Sequence, residues 1–199
     1  SFTVTNDKTS SQTFSITANL PGMIQLIDTS FTLAGRESKT VFANVFTEKD
    51  TGENLYVGEV KVKSGTVEKK VTISIEVVSK GTLFDILIDI PGEGIYAPGE
   101  EIDVALSLTR FIGAEGDVTL NYLIKDEAGN DVYSEQGIEY LGADPLNFVK
   151  KLTLPATLPL GKYFLYVQVQ SGDSIGSASK QFDIGEKGRS VREWFRDNI

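Results

Sequence analysis

Two runs decide the fold: Glu101-Ile-Asp-Val-Ala-Leu-Ser-Leu-Thr-Arg110 and Asp117-Val-Thr-Leu-Asn-Tyr-Leu-Ile124. In the first, Ile102, Val104, Leu106 and Leu108 stand at every second position. Val118, Leu120, Tyr122 and Ile124 repeat the pattern in the second. A period of two puts each set on one side of an extended strand, whereas a helix would need apolar residues three and four apart. The second run ends in Asp126-Glu-Ala-Gly-Asn-Asp131. That stretch predicts a hairpin turn with Gly129-Asn130 supplying the positive-φ positions.

Outward from this pair the same alternation continues. Phe84, Ile86, Ile88 and Ile90 form a strand upstream, and Pro91-Gly-Glu-Gly94 and Pro98-Gly99 punctuate the loop after it. Downstream, Leu146 to Leu154, Tyr163 to Val169 and Ala178 to Ile184 complete a block of about one hundred residues, near the usual size of a sandwich domain.

A separate block precedes it. Phe2 and Val4, then Phe14 and Ile16, flank the turn-rich Asn6-Asp-Lys-Thr-Ser-Ser11. Met23 to Ile27 is a short strand, and Phe31 and Leu33 lead to a turn at Gly35. Ser38 to Phe46 puts Val41, Ala43 and Val45 on one side. Leu55 to Lys63 puts Tyr56, Val60 and Val62 on the core side. Ser64-Gly65 reverses the chain, and Val71, Ile73, Ile75 and Val77 finish the block. Six or seven short strands at this spacing read as an immunoglobulin-like sandwich.

The expected architecture is therefore all-β: two consecutive immunoglobulin-like β-sandwiches, residues 1–80 and 81–184, plus a short C-terminal amphipathic helix over 185–199. The linker Val78-Ser-Lys-Gly-Thr82 is short, which predicts a semi-rigid, end-to-end pair. In the tail, Ser190 and Glu193 have capping-box spacing. Val191, Trp194, Phe195 and Asn198 form a stripe apart from Arg189, Arg192 and Arg196. So short a helix is marginal alone and must pack on the second domain, a partner or a membrane interface.

The chain has 199 residues, no histidine and no cysteine. Thiol catalysis, thiolate metal sites and disulfides are excluded, and most serine and metallo-hydrolase constellations lose their base or ligand. A net charge of −9 disfavours nucleic-acid binding. There is no basic-then-apolar leader and no run of about 20 apolar residues.

Three chemistries remain. Glu93, Glu100, Glu101 and Asp103 cluster at one end of the second block, but without a cleft they read as solvated loop charges, not a glycosidase pair. Calcium is the one cofactor the acidic loops offer, at Asp126, Glu127, Asn130 and Asp131, or at Asp50, Glu53 and Asn54, and neither loop has a defined calcium spacing. Aromatic residues form the third. If Tyr163, Leu165 and Val167 face the core, Phe164 and Tyr166 face outward. There they are either a ligand-binding platform or the surface that Trp194 and Phe195 cover.

The first block resembles the Ig-like modules repeated in tandem on prokaryotic, notably archaeal, cell-surface and membrane-anchored proteins. Ser1-Phe-Thr-Val-Thr-Asn6, Phe31 to Val41, Tyr56 to Gly65 and Val71 to Val77 carry the resemblance. The family's usual first strand, before Phe-Thr-Val-Thr-Asn, is missing. The second block is similar to macroglobulin-type sandwich domains, through Ile95-Tyr-Ala-Pro-Gly-Glu-Glu-Ile-Asp-Val104 and Leu158-Pro-Leu-Gly-Lys-Tyr-Phe-Leu-Tyr-Val167. The thioester chemistry of macroglobulins needs a cysteine that this chain lacks.

These resemblances imply a non-enzymatic extracytoplasmic spacer, scaffold or adhesion module of a prokaryotic surface protein. They also imply a protein or glycan partner at the cell surface and a membrane anchor beyond Ile199. The alternatives are a carbohydrate-binding accessory module of a secreted enzyme and a subunit of a surface filament or secretion assembly.

Overall fold

The computed structural model describes residues 1–185 apart from 21, 49, 79–83, 93 and 112–114. The C-terminal stretch, with Trp194 and Phe195, lies outside them. The described residues are all-β, with sixteen strands and no helix among them. No helix among them is therefore long and apolar enough to cross a membrane. The chain divides into two compact units: Ser1–Gly52 with Tyr56–Val77, and Glu53–Leu55 with the chain from Val78 onward.

The first unit contains β1 (Phe2–Thr5), β2 (Gln12–Ala18), β3 (Ile24–Leu26), β4 (Ser30–Leu33), β5 (Ser38–Val41), β6 (Ala43–Val45), β7 (Asn54–Ser64) from Tyr56 onward, and β8 (Val67–Val77). A four-stranded sheet runs β4-β2-β7-β8. Among the described residues β1 pairs only with β5, and β3 only with β6. The core takes Phe14 and Ile16 from β2, Leu33 from β4 and Val60 from β7, together with Val4 and Val41 from the β1-β5 ribbon. Apolar alternation on both layers thus buries one face of each.

Two readings of this unit are corrected. The run Ser38–Phe46 is not one strand. It breaks at Phe42, which is 55% exposed, and the two pieces take different partners, β1 and β3. Tyr56 is not the core residue of β7; Leu55 and Val57 are buried, and the alternation then changes phase at Gly58 before Val60. Gly58 is needed there because a Cβ would sit 2.4 Å from Leu20 Cγ and 2.6 Å from Asn19 Oδ1. In the turn at Gly35 the left-handed residue is Arg36, at φ 68°. Gly35 serves close approach instead, since a Cβ would lie 2.0 Å from the carbonyl oxygen of Thr9.

The second unit contains β9 (Phe84–Asp89), β10 (Ile95–Tyr96), β11 (Glu101–Arg110), β12 (Gly116–Lys125), β13 (Asp131–Leu141), β14 (Leu146–Thr153), β15 (Gly161–Ser171) and β16 (Ser174–Ile184). One sheet runs β14-β11-β9 and the other β10-β16-β15-β12-β13. Every pairing is antiparallel except β10 with β16. The core joins the two sheets: Ile86, Ile102, Val104, Leu106, Leu108 and Leu152 meet Leu120, Tyr122, Leu165, Val167 and Phe182. This is a β-sandwich, and both runs that open the sequence analysis lie buried in it as read. The hairpin between β12 and β13 uses positive φ at Gly129 alone, not at Asn130.

Candidate functional site

The aromatic pair is placed by strand alternation. Tyr163, Leu165 and Val167 of β15 belong to the core, so Phe164 and Tyr166 lie on the other face of the five-stranded sheet. Both are buried there, at 4% and 0% exposure. Gln168 Nε2 donates to the Tyr166 hydroxyl at 3.3 Å. Lys125, paired in register with Phe164, is buried too, and its ammonium lies 2.6 Å from Asp131 Oδ1. Neither ring offers a free face on which a sugar could stack. Their expected cover, Trp194 and Phe195, lies outside the described residues.

The acidic hairpin is organised as a turn. Asp126 Oδ1 accepts the backbone N–H groups of Ala128 and Asn130, at 2.9 and 2.8 Å, and its Oδ2 accepts Asn130 Nδ2 at 3.0 Å. Asp131 is held by Lys125. This is how an aspartate caps a tight loop, and Glu127 shares the loop without completing a cage. Among the described residues no group of three or more carboxylates is arranged to hold a metal ion. Of the carboxylates around the start of β11, Glu93 lies outside the described residues and the others do not all share one partner. Glu100 accepts the Ala97 N–H at 2.8 Å, while Glu101 and Asp103 converge on Lys151 at 2.6 and 3.4 Å. Those two acids push the Lys151 ammonium upward.

One polar cluster had no signal in the sequence. Lys150 of β14 lies 2.5 Å from Glu135 of β13, and the Tyr133 hydroxyl donates to the other Glu135 oxygen. The same ammonium sits 5.6 Å from the centre of the Tyr122 ring. β13 and β14 are edge strands of opposite sheets, so the cluster closes the sandwich along one side. The Lys150 hydrogen bond, followed by that of Tyr133, holds Glu135 below the usual carboxylate range. Burial first, then Glu135, pushes Tyr133 up to about 12; burial, then Glu139 and Glu135, does the same to Tyr122. β13 escaped the sequence reading because its core-side residues include Tyr133, Glu135 and Glu139 rather than an aliphatic row.

A corner interaction fixes the entry to β15. Tyr163 donates its hydroxyl to the Pro159 carbonyl at 2.9 Å, and its ring stacks on Phe182 at 6.0 Å. Burial, with Asp126 and Glu127 nearby, raises this phenol.

Apolar surface stays open in both units. On the outer face of β14-β11-β9, Ala105 and Ser107 form the floor of a shallow depression of about 400 Å³ whose rim includes Leu87 and Val149, 63% and 59% exposed. In the first unit a groove of about 340 Å³ runs between β1 and the β7-β8 hairpin, lined by Phe2, Val4, Phe14, Val62, Val67 and Val71. Val67 and Val71 are 52% and 46% exposed.

No family model and no curated protein matches the chain. Among solved structures it is similar to the sporulation control protein Spo0M of Bacillus subtilis, at 14% identity over 52% of this chain, with a TM-score of 0.41. The chain spans about half the length of that protein, 50%. It is also similar to a DUF3823 family protein of Bacteroides ovatus, at 10% identity over 92% of each chain, again with a TM-score of 0.41. The class that the chain's own strand order defines is an all-β protein of the β-sandwich type.

Proposed function

We propose that this chain is a non-enzymatic interaction and spacer module built from immunoglobulin-like domains, carried outside the cytoplasm by a prokaryotic surface protein. The observation that carries the reading is the apolar surface borne on ordered strands, as at Leu87 and Val149. Apolar patches of this kind mark partner sites. The strand order supports the immunoglobulin-like part. β9, β11 and β14 correspond to A, B and E, and β16, β15, β12 and β13 to G, F, C and C′, with β10 a second A segment parallel to G. Tyr163 occupies the place of the tyrosine corner, near the start of strand F with its hydroxyl bonded four residues back. The buried Leu165 stands two residues on, where antibody domains put a cysteine.

The surface setting rests on the resemblance of Ser1 to Ser79 to archaeal surface modules, and the macroglobulin-like features of the second block agree with it. An apolar span encoded after Ile199 would support the anchor; a further soluble domain there would remove it. Protease shaving of intact source cells, followed with an antibody to this chain, tests the setting. Cleavage before lysis is expected. Protection until lysis overturns the extracytoplasmic reading.

A further inference from the structure

The outer face of the five-stranded sheet is covered over one part and open over another. Strand register puts Leu123, Tyr166 and Ser179 side by side on that face, next to the row of Lys125, Phe164 and Gln181. On the same face Ile138 and Tyr140 of β13 stand 68% and 58% exposed, whereas Phe164 and Tyr166 are buried. Side chains stand roughly upright on a sheet, so neighbours in its plane shield the flanks of a ring and not its outward surface. Ser179 is too short to shield even a flank. A layer therefore lies over β15, and every described strand of the second unit already belongs to one of its two sheets.

The chain has one further segment of suitable length and chemistry. Of the stretches outside the described residues, 186–199 is the longest, and it alone has aromatic residues, Trp194 and Phe195. β16 ends beside the start of β15, with Ile184 against Gly161, and the Gly185 N–H donates to Tyr96 O at 2.9 Å. Phe164 and Tyr166 stand three and five residues along β15 from that point, about 10 and 17 Å up the strand. The ten residues from Ile184 to Trp194 rise about 15 Å as a helix. The amphipathic helix read in the sequence, folded back over the sheet, thus brings the stripe of Val191, Trp194 and Phe195 level with the buried pair.

We propose that residues 186–199 form the layer over this face within the same chain, with Trp194 and Phe195 packed on Phe164 and Tyr166. The segment after β16 is then a part of the second domain. It withholds the outer face of β15 and β16 from partners, which meet this unit elsewhere, as at Leu87 and Val149. The proposal goes beyond the surface-module reading and holds in any compartment.

Trp194 is the one tryptophan of the chain, so fluorescence of the unaltered protein reads the segment directly. Blue-shifted emission is expected, with iodide quenching severalfold weaker than that of N-acetyltryptophanamide. The chain has no cysteine, so paired substitutions locate the segment. Ser177 lies on the covered face, and Asn198 follows Trp194 on the same stripe. Ser177→Cys with Asn198→Cys should close an intramolecular disulfide under mild oxidation severalfold faster than Val149→Cys with Asn198→Cys, whose first thiol sits on the opposite sheet. Both are read by mass spectrometry after proteolysis. Quenching of the unaltered chain equal to that of the free indole would overturn the proposal, and so would equal rates for the two pairs. A disulfide joining two chains, faster at higher concentration, would assign the cover to a second copy and overturn it as well.

Discussion

The two units use the same device, alternation at a period of two, and finish it differently. In the second unit twenty-one buried residues form one cluster shared by a five-stranded and a three-stranded sheet. In the first, six buried residues hold a four-stranded sheet against a two-stranded ribbon, and apolar residues of β8 stay open to solvent. The difference lies in pattern as well as coverage: β8 places Lys69 between Val67 and Val71, whereas β11 keeps Ile102, Val104, Leu106 and Leu108 unbroken. An apolar row becomes core only when a second layer reaches it.

The largest expected effects contrast the two outcomes. Leu120→Ala, in the closed core, should destabilise its unit by about 2–5 kcal/mol, as large-to-small core changes do. Val71→Ala, in the open wall, should cost under about 0.5 kcal/mol. Hydrogen exchange followed by mass spectrometry separates the units peptide by peptide. A loss of 2 kcal/mol or more from Val71→Ala would mean that the groove is closed in solution, and the contrast would fail.

Next comes the backbone of the first unit. Gly35→Ala places a methyl against the Thr9 carbonyl, which cannot rotate away, and should cost about 1–3 kcal/mol. Arg36→Gly should be neutral or stabilising by up to about 1 kcal/mol, since Arg36 holds a left-handed φ that glycine adopts freely. Chemical denaturation of the two variants checks the assignment. The opposite order would mean that Gly35, not Arg36, holds the left-handed position. In the second unit, Tyr163→Phe removes the bond to Pro159 and keeps the ring, so the expected loss is about 0.5–1.5 kcal/mol.

How much of this was legible follows the same division. The all-β class and the core rows of β11 and β12 could be read because four aliphatic or aromatic residues in strict alternation admit few other structures. Alternation also showed that Phe164 and Tyr166 share a face. It could not show that the face is covered, because cover comes from elsewhere in the chain. β13 was invisible because an edge strand can turn Tyr133 and Glu135 inward and match them with Lys150. The break at Phe42 and the phase change at Gly58 were hidden for a related reason. Each is set by a neighbouring segment, β3 in one case and Asn19-Leu20 in the other. In the Asp126 loop the sequence does not separate turn-capping oxygens from ligand oxygens; hydrogen-bond geometry shows Asp126 capping the turn.

The smallest effects are electrostatic, and two carboxylates of the second unit should respond to pH with opposite signs. Glu135 has a lowered folded pKa, chiefly through Lys150, so the folded state binds its proton less readily than the unfolded chain does. Its contribution is present above the unfolded value near 4.5 and is lost as pH falls through the folded pKa. Glu135→Gln should remove that dependence at a cost of about 0.2–1 kcal/mol near neutrality, the range of a partly exposed pair. Asp183 is raised by burial, with Lys162 opposing, and one of its oxygens is buried without a hydrogen-bond partner. Here the folded state binds the proton more tightly, so stability declines as pH rises from the unfolded value near 3.8 through the folded pKa. Asp183→Asn should therefore be neutral or slightly stabilising at pH 7 and should flatten that decline. Urea midpoints from pH 3 to 7 for both variants decide it: parallel shifts would show that burial, rather than Lys150, dominates at both positions.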